Sequence, residues 1–237
     1  MKAVICDGRI SSDMERGLMK HGYYVIKLPS EKTLPEAISS HPDTLLFRLD
    51  NIFVSTCDYA EGAAYVFSDI REFSNDSRMF FIDEQLGNAY PSDAMLNAVC
   101  FGNYLIANQK TVSGKILEIA TNKGKILKNV NQGYPNCSIL KLDEENAITS
   151  DAGIYRSLTE IGVNTLLINP GHISLPPYEY GFIGGASGVD KNNVFFLGDI
   201  STHPDYERIV EFISHLGMKA ISLSTEHLQD LGGLIFI

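Results

Sequence analysis

No apolar run in this chain approaches the ~20 residues that a membrane-spanning helix needs. The opening residues, MKAVICDGRI, lack the long apolar centre and small-residue cleavage site of a secretion signal, so the expected location is cytoplasmic. Basic residues are scarce: 19 Lys and Arg stand against 29 Asp and Glu, a formal net charge of −10. That balance argues against nucleic acid or an anionic membrane as a partner, because both need clustered cations. The four cysteines, Cys6, Cys57, Cys100 and Cys137, include no CxxC pair, and the six histidines form no HExxH-like cluster. No metal and no cofactor is expected, and the thiols read as reduced, mostly core residues. The glycine-rich run GFIGGASG, residues 181–188, lacks the lysine of GxxxxGK[ST] and the spacing of GxGxxG. Its glycines therefore serve backbone geometry rather than phosphate binding.

What the chain does have is repetition. Residues 132–162 read as one device. Cys137–Leu142 is a short apolar run, Asp143–Asn146 a polar turn and Ala147–Thr149 a second short run. Ser150 or Asp151 caps a helix whose apolar residues Ile154, Leu158 and Ile161 share a face, Gly162 ends it, and Val163–Ile168 resumes as a strand. Comparable turns recur at Asp50-Asn51, Gly102-Asn103 and Asn192-Asn193, where asparagine suits the positive φ of a tight hairpin. Helices are expected at Ser12–His21, Ala60–Phe73, Thr111–Thr121, Asp151–Ile161 and Pro204–Leu216, each followed by a strand. Turn-rich corners lead into the hairpins at His41–Asp43, Tyr90–Asp93, Gly133–Cys137, Gly181–Gly185 and Asp230–Gly233. The first strands after them are read as beginning at Thr44, Met95, Ser138 and Ala186.

The count is five, over about 1–50, 51–102, 103–146, 147–192 and 193–237, within a single domain. The fifth copy ends on one strand, GGLIFI, and the chain opens on another, KAVIC. Pairing of the two would close a five-fold α/β propeller and remove two exposed sheet edges. The alternative is a three-layer α/β sheet.

Five ββαβ-type modules in this length resemble the pentein fold, the α/β propeller of guanidino-group-modifying enzymes and of a ribosome anti-association factor. The resemblance covers the whole chain and implies a site in a central channel, built on the corners. It implies a nucleophilic cysteine, a histidine in an HxD-like setting and carboxylates that grip a guanidinium. His41-Pro42-Asp43 matches the HxD pattern on a corner, Asp93 is a second corner carboxylate, and Cys137 closes the third corner beside Asn136. The family's nucleophile lies in the last module after paired glycines, and this chain ends there without a cysteine. The implied catalytic set is thus Cys137, His41 and Asp43, with Asp93, Asn136, His172, Gly184 and Gly185 as substrate contacts. His172 lies in the loop Asn169–Tyr180, which reads either as a lid or as ordinary surface. His203-Pro204-Asp205 repeats the HPD triplet but opens a helix, where it reads as a cap. Two functions remain open. One is a hydrolase or transferase acting on a guanidine or amidine. The other is a non-catalytic pentein that binds a macromolecular partner. Oligomeric state is not encoded in any feature of the sequence.

Overall fold

The structure is a computed structural model and describes residues 2–237. Five three-stranded sheets carry the fold. The first takes β1 (Lys2–Asp7) and β2 (Tyr23–Leu28), joined by helix α1 (Ser12–Lys20). The short helix α2 (Pro42–Leu45) leads into the second sheet, β3 (Phe47–Leu49), β4 (Ile52–Thr56) and β5 (Arg78–Ile82), with α3 (Cys57–Gly62) and α4 (Ala64–Phe73) in its crossover. The third holds β6 (Val99–Phe101), β7 (Tyr104–Ala107), helix α5 (Gly114–Asn122) and β8 (Ile126–Asn129). A second short helix, α6 (Pro135–Ser138), precedes the fourth: β9 (Ile139–Lys141), β10 (Asn146–Thr149), helix α7 (Ala152–Glu160) and β11 (Asn164–Leu167). The fifth is β12 (Ser187–Asp190), β13 (Asn193–Phe196), helix α8 (Tyr206–His215) and β14 (Lys219–Ser222). The last strand, β15 (Ile235–Phe236), pairs antiparallel with β1 and so completes the first sheet.

Each sheet follows one rule. The first strand pairs antiparallel with the middle one, and the middle strand pairs parallel with the third across a helix. Antiparallel neighbours need only a tight turn, whereas parallel neighbours need a crossover long enough for a helix. Middle strands are covered on both faces and read as continuous apolar runs; every residue of β4, IFVST, is buried. The helices bury one stripe, as Ile154 and Leu158 do in α7, and Asp151 caps that helix by accepting from the Gly153 and Ile154 amides.

Several sequence expectations shift. Positive φ in the hairpins falls on Asp50, Gly102 and Lys191, one or two residues ahead of the asparagines. The expected helix 60–73 is two helices, because Thr56 caps an extra turn from Cys57 and Ala63 breaks the run. The helix expected from Thr111 starts at Gly114, where the Ser113 hydroxyl supplies the cap. Thr44–Leu46 and Met95–Ala98 are not strand. They belong to corners that dive into the interior, and proline at the first helical position pre-sets the turn in α2 and α6.

The first strands of the sheets meet near the middle of the molecule. β3 touches β6, β9 touches β12, and β12 touches β15. Two cations stitch neighbours together: the Arg48 guanidinium donates to the Phe236 carbonyl at 2.5 Å, and Lys141 Nζ donates to the Cys100 carbonyl at 2.6 Å. The corners are linked in a closed circuit of hydrogen bonds. The Asp43 amide donates to Gly232 O at 3.2 Å, the Gly233 amide to Gly185 O at 2.7 Å, and the Gly185 amide to Cys137 O at 3.0 Å. The Asn136 amide donates to Asn97 Oδ1 at 2.7 Å, and Asn97 Nδ2 returns to Asp43 O at 3.1 Å. All five corners are members of that circuit.

Phe236 holds the seam where the two ends of the chain meet. Its ring lies 4.9 Å from Tyr23 and 5.2 Å from Phe195, centroid to centroid. Phe236→Ala is expected to cost about 3–5 kcal/mol in urea denaturation, as for other buried aromatic truncations. A loss below about 1 kcal/mol would show that β15 contributes little to the fold.

Candidate functional site

The circuit of corners places polar side chains at the centre. His41 is the residue before α2, and Asp43 lies in its first turn. Cys137 comes from α6 in the third corner and donates its thiol proton to Asp43 Oδ2 over 2.6 Å. Asn97 from the second corner donates to the same sulfur over 3.2 Å. Thiol and carboxyl are both buried. Burial pushes the Cys137 pKa well above the ordinary thiol value, and the Asp43 and Asp230 charges add to it. Burial likewise pushes Asp43 well above the carboxylate range, with Asp230 as the second cause.

Asp230 opens the fifth corner. Its Oδ2 accepts from the Phe182 amide at 2.8 Å and its Oδ1 from the Gly232 amide at 3.0 Å. Burial pushes its pKa up to about 6, against the pull of those two donors. Two glycines make its seat. A Cβ at Gly185 would lie 2.0 Å from Asp230 Oδ1, and one at Gly181 would lie 2.4 Å from the Asp230 Cβ. The His41 ring sits between two carboxylates, with Nδ1 3.8 Å from Asp230 and Nε2 3.7 Å from Asp7, and Nε2 has no hydrogen-bond partner. Burial holds the His41 pKa down to about 4, so the ring is neutral. Arg9 pairs with Asp7 through Nε at 2.9 Å and Nη2 at 2.6 Å. Among the described residues, no lysine or arginine pairs with Asp43 or Asp230 in this way.

Above this floor lies a cavity of about 380 Å³. His41, Thr44, Cys137 and Asp230 line its base. Tyr134, Phe182, Ile38 and Gln132 form its walls, and Leu175, Tyr178, Glu179 and Tyr180 come over it from the loop 169–180. That loop is tied at its ends: the Ser174 amide donates to Leu228 O, and the Gly181 amide donates to Ile173 O. No lysine or arginine lines the cavity among the described residues. A second cavity of about 230 Å³ opens on the other side of the circuit, among the first strands of the five sheets.

The structure brings Cys137, Asp43 and His41 to one place, but no hydrogen bond joins His41 to the thiol. The carboxylate of Asp43 is the thiol's acidic partner. The other expected contacts disperse. Asp93 is buried behind the cavity, interacts with the Tyr134 phenol, and leaves Oδ1 without a partner; burial raises its pKa. Asn136 and Gly184 line the second cavity, where a Cβ on Gly184 would strike the Asn136, Cys137 and Ile139 carbonyls. Gly185 seats Asp230. His172 is exposed and stacks edge-on against His203 at 5.5 Å, away from the cavity. His203 accepts from the Asp205 amide, so that HPD triplet is a local turn. Sequence reading missed Asp230, Asp7, Tyr134 and Glu179. Asp230 was marked only as the first residue of a corner, and the Asp7–His41 approach depends on a contact between distant segments.

The two titrations in this cluster oppose each other. Asp230 keeps its proton up to about pH 6 when folded but only to the ordinary value near 4 when unfolded, so it favours the folded chain increasingly as pH falls through that window. His41 accepts a proton near 6.5 when unfolded but only near 4 when folded, so it disfavours the folded chain as pH falls through nearly the same window. Asp230→Asn removes the first effect and leaves the second. Read from urea midpoints at pH 6.5, 5.5 and 4.5, the wild type should gain about 1 kcal/mol on the variant for each pH unit lowered. A difference that stays constant would place the Asp230 titration outside this window.

Comparison with solved structures places this architecture. Pseudomonas aeruginosa dimethylarginine dimethylaminohydrolase, solved with citrulline, superposes with a TM-score of 0.57 at 10% identity, over 94% of this chain and 92% of that one. SxtG, an amidinotransferase of the saxitoxin biosynthetic pathway from Microseira wollei, gives 0.58 at 11% identity, over 94% and 88%. C. jejuni agmatine deiminase gives 0.51 at 11% identity, over 94% and 76%. Likeness at this identity establishes the pentein fold. No curated protein matches the sequence. With residues 5–235 matching its model, the chain belongs to the family of unknown function DUF6873.

Proposed function

We propose that the cavity takes a small organic cation of the guanidinium or amidinium class, and that Cys137 attacks its central carbon. In this reading the five sheets are the blades of one pseudo-five-fold propeller, a single domain of repeated modules, and the cavity is one mouth of its central channel. The observation that carries the reading is the lining: two carboxylates, Asp230 at the base and Glu179 at the rim, among aromatic rings and a neutral histidine, with no lysine or arginine among the described residues. Carboxylates orient a guanidinium by charge-assisted hydrogen bonds, and aromatic faces attract the same cation. The three solved structures named above are a dimethylarginine dimethylaminohydrolase, an agmatine deiminase and an amidinotransferase.

The chemistry follows from the thiol and its neighbour. The Cys137 proton passes to Asp43 Oδ2, and Sγ forms a bond to the amidine carbon as the C=N electron pair moves to nitrogen. One C–N bond then breaks, and the departing nitrogen takes the proton back from Asp43. Water completes a hydrolysis at the thioether-linked carbon and restores the thiol; an amine in its place completes a transfer. Asp43 suits this role because its raised pKa makes it a stronger base than an ordinary carboxylate. A bound cation beside Cys137 favours the thiolate by simple Coulomb attraction.

A second reading, binding without catalysis, is favoured by one observation: the thiol is held protonated and wholly buried against a carboxylate. One experiment separates the two. Chloroacetamidine carries an amidinium next to a displaceable chloride; chloroacetamide is its neutral counterpart. In the catalytic reading the amidinium reagent labels Cys137 about tenfold or more faster at pH 7, beyond the ratio for a free thiol, with loss of chloride and a mass increase absent from Cys137→Ala. Equal relative rates, with the cations nonetheless stabilising the protein thermally, would support binding alone. No labelling and no stabilisation would overturn both.

A further inference from the structure

On the reading of the cavity as a cation site, we infer that its ligand carries no carboxylate: it is an alkyl or aryl cation, not an amino acid. The argument rests on what the lining can and cannot donate. Recognition of a carboxylate needs a cation or a set of free N–H or O–H donors. The cavity has no lysine or arginine among the described residues. Arg9, the cation of the buried cluster beneath it, spends its guanidinium on Asp7 and on the Glu36 and Ala37 carbonyls. Gln132, the amide in the wall, is engaged at both ends: Nε2 donates to Asp151 Oδ2 at 3.0 Å, and Oε1 accepts from the Tyr134 amide at 3.1 Å. The Tyr134 phenol lies close enough to the Asp93 carboxyl to interact with it. What remains unengaged is the hydroxyls of Tyr178 and Tyr180 and the neutral His41 ring, which already stands between the Asp7 and Asp230 carboxylates; these neutral donors cannot offset a full negative charge.

The surrounding charge points the same way. Asp230 and Asp43 lie at and below the base, Asp93 and Asp151 stand behind the wall, and Glu179 sits at the rim, all of one sign. A ligand whose cation reaches Asp230 must lay the rest of its length along Tyr134, Phe182 and Leu175 and leave past Glu179. Hydrocarbon or an aromatic ring fits that path, and so does a second cation at the rim. A carboxylate meets an acid there with nothing to compensate it.

The test uses the wild-type chain and matched ligands in isothermal titration. Butylguanidine is compared with 4-guanidinobutanoate, and benzamidine with 4-carboxybenzamidine. In each pair the carboxylate-free member is expected to bind about tenfold or more tightly, a difference that shrinks as salt is raised. Glu179→Arg, at an exposed position, is expected to narrow the gap by strengthening the carboxylate-bearing members. Equal binding within both pairs, or tighter binding of the carboxylates, would overturn the inference and leave the cation site standing. Failure of all four ligands to bind would overturn the cation site and this inference with it.

Discussion

Everything at the centre of this molecule depends on five chain corners being brought within hydrogen-bonding distance of one another. A corner buried in the interior exposes backbone N–H and C=O groups to a place without water, and each must find a partner there. The solution is mutual: the corners satisfy one another, Asp43 to Gly232, Gly233 to Gly185, Gly185 to Cys137, and Asn97 across the remaining gap with its side-chain amide. An asparagine serves there because its side-chain amide both donates and accepts, and so bridges the first and third corners. The glycines are a consequence. Gly184 and Gly185 have no Cβ because carbonyls and a carboxylate occupy the volume it would need, and Gly232 and Gly233 hold positive φ.

The circuit fixes positions, and the positions concentrate negative charge. Asp7, Asp43 and Asp230 are all buried near His41, and Arg9 compensates only the first. Burying an ionised carboxylate without a cation costs several kcal/mol, which is why Asp43 and Asp230 both hold protons more tightly than exposed aspartates do. A fold that only needed to be stable would gain by filling these positions with apolar groups. In the proposed reading, a cationic ligand in the cavity above supplies the counter-charge that these positions lack.

The sequence revealed the fold more readily than the site, and the reason is one of range. The ββαβ order is a local property: hairpin turn, amphipathic stripe, glycine exit and following strand all lie within about forty residues, and each leaves a signature in composition and period. The pairing of the first and last strands was legible because an unpaired strand stood at each end of the chain. The corners were also visible as runs of proline, glycine, asparagine and aspartate, and they included His41, Asp43, Asn136, Cys137 and Asp230. Which corner residues face which cavity was not visible. Asp93 and Asp43 look equivalent in sequence, yet one lies behind Tyr134 and the other holds the thiol. Strand boundaries slipped for a related reason: Thr44–Leu46 and Met95–Ala98 have strand-like composition because they are buried, and burial here belongs to the corner.

The place of the thiol follows from the same geometry. In a closed circuit every corner ends near one centre, so position along the chain does not set distance from it. A thiol on the third corner reaches a carboxylate on the first as directly as two adjacent residues would, and the Cys137–Asp43 contact spans 94 positions of sequence. The fifth corner, by contrast, has no room for one at its turn. A Cβ at Gly232 would lie 2.4 Å from the His41 Cβ, and a Cβ at Gly233 would lie 2.9 Å from the Gly184 carbonyl. The packing that seats His41 between its two carboxylates therefore excludes a side chain where the paired glycines stand. Cys137 and Asp43 form a thiol–carboxylate pair on corners that retain the space for it.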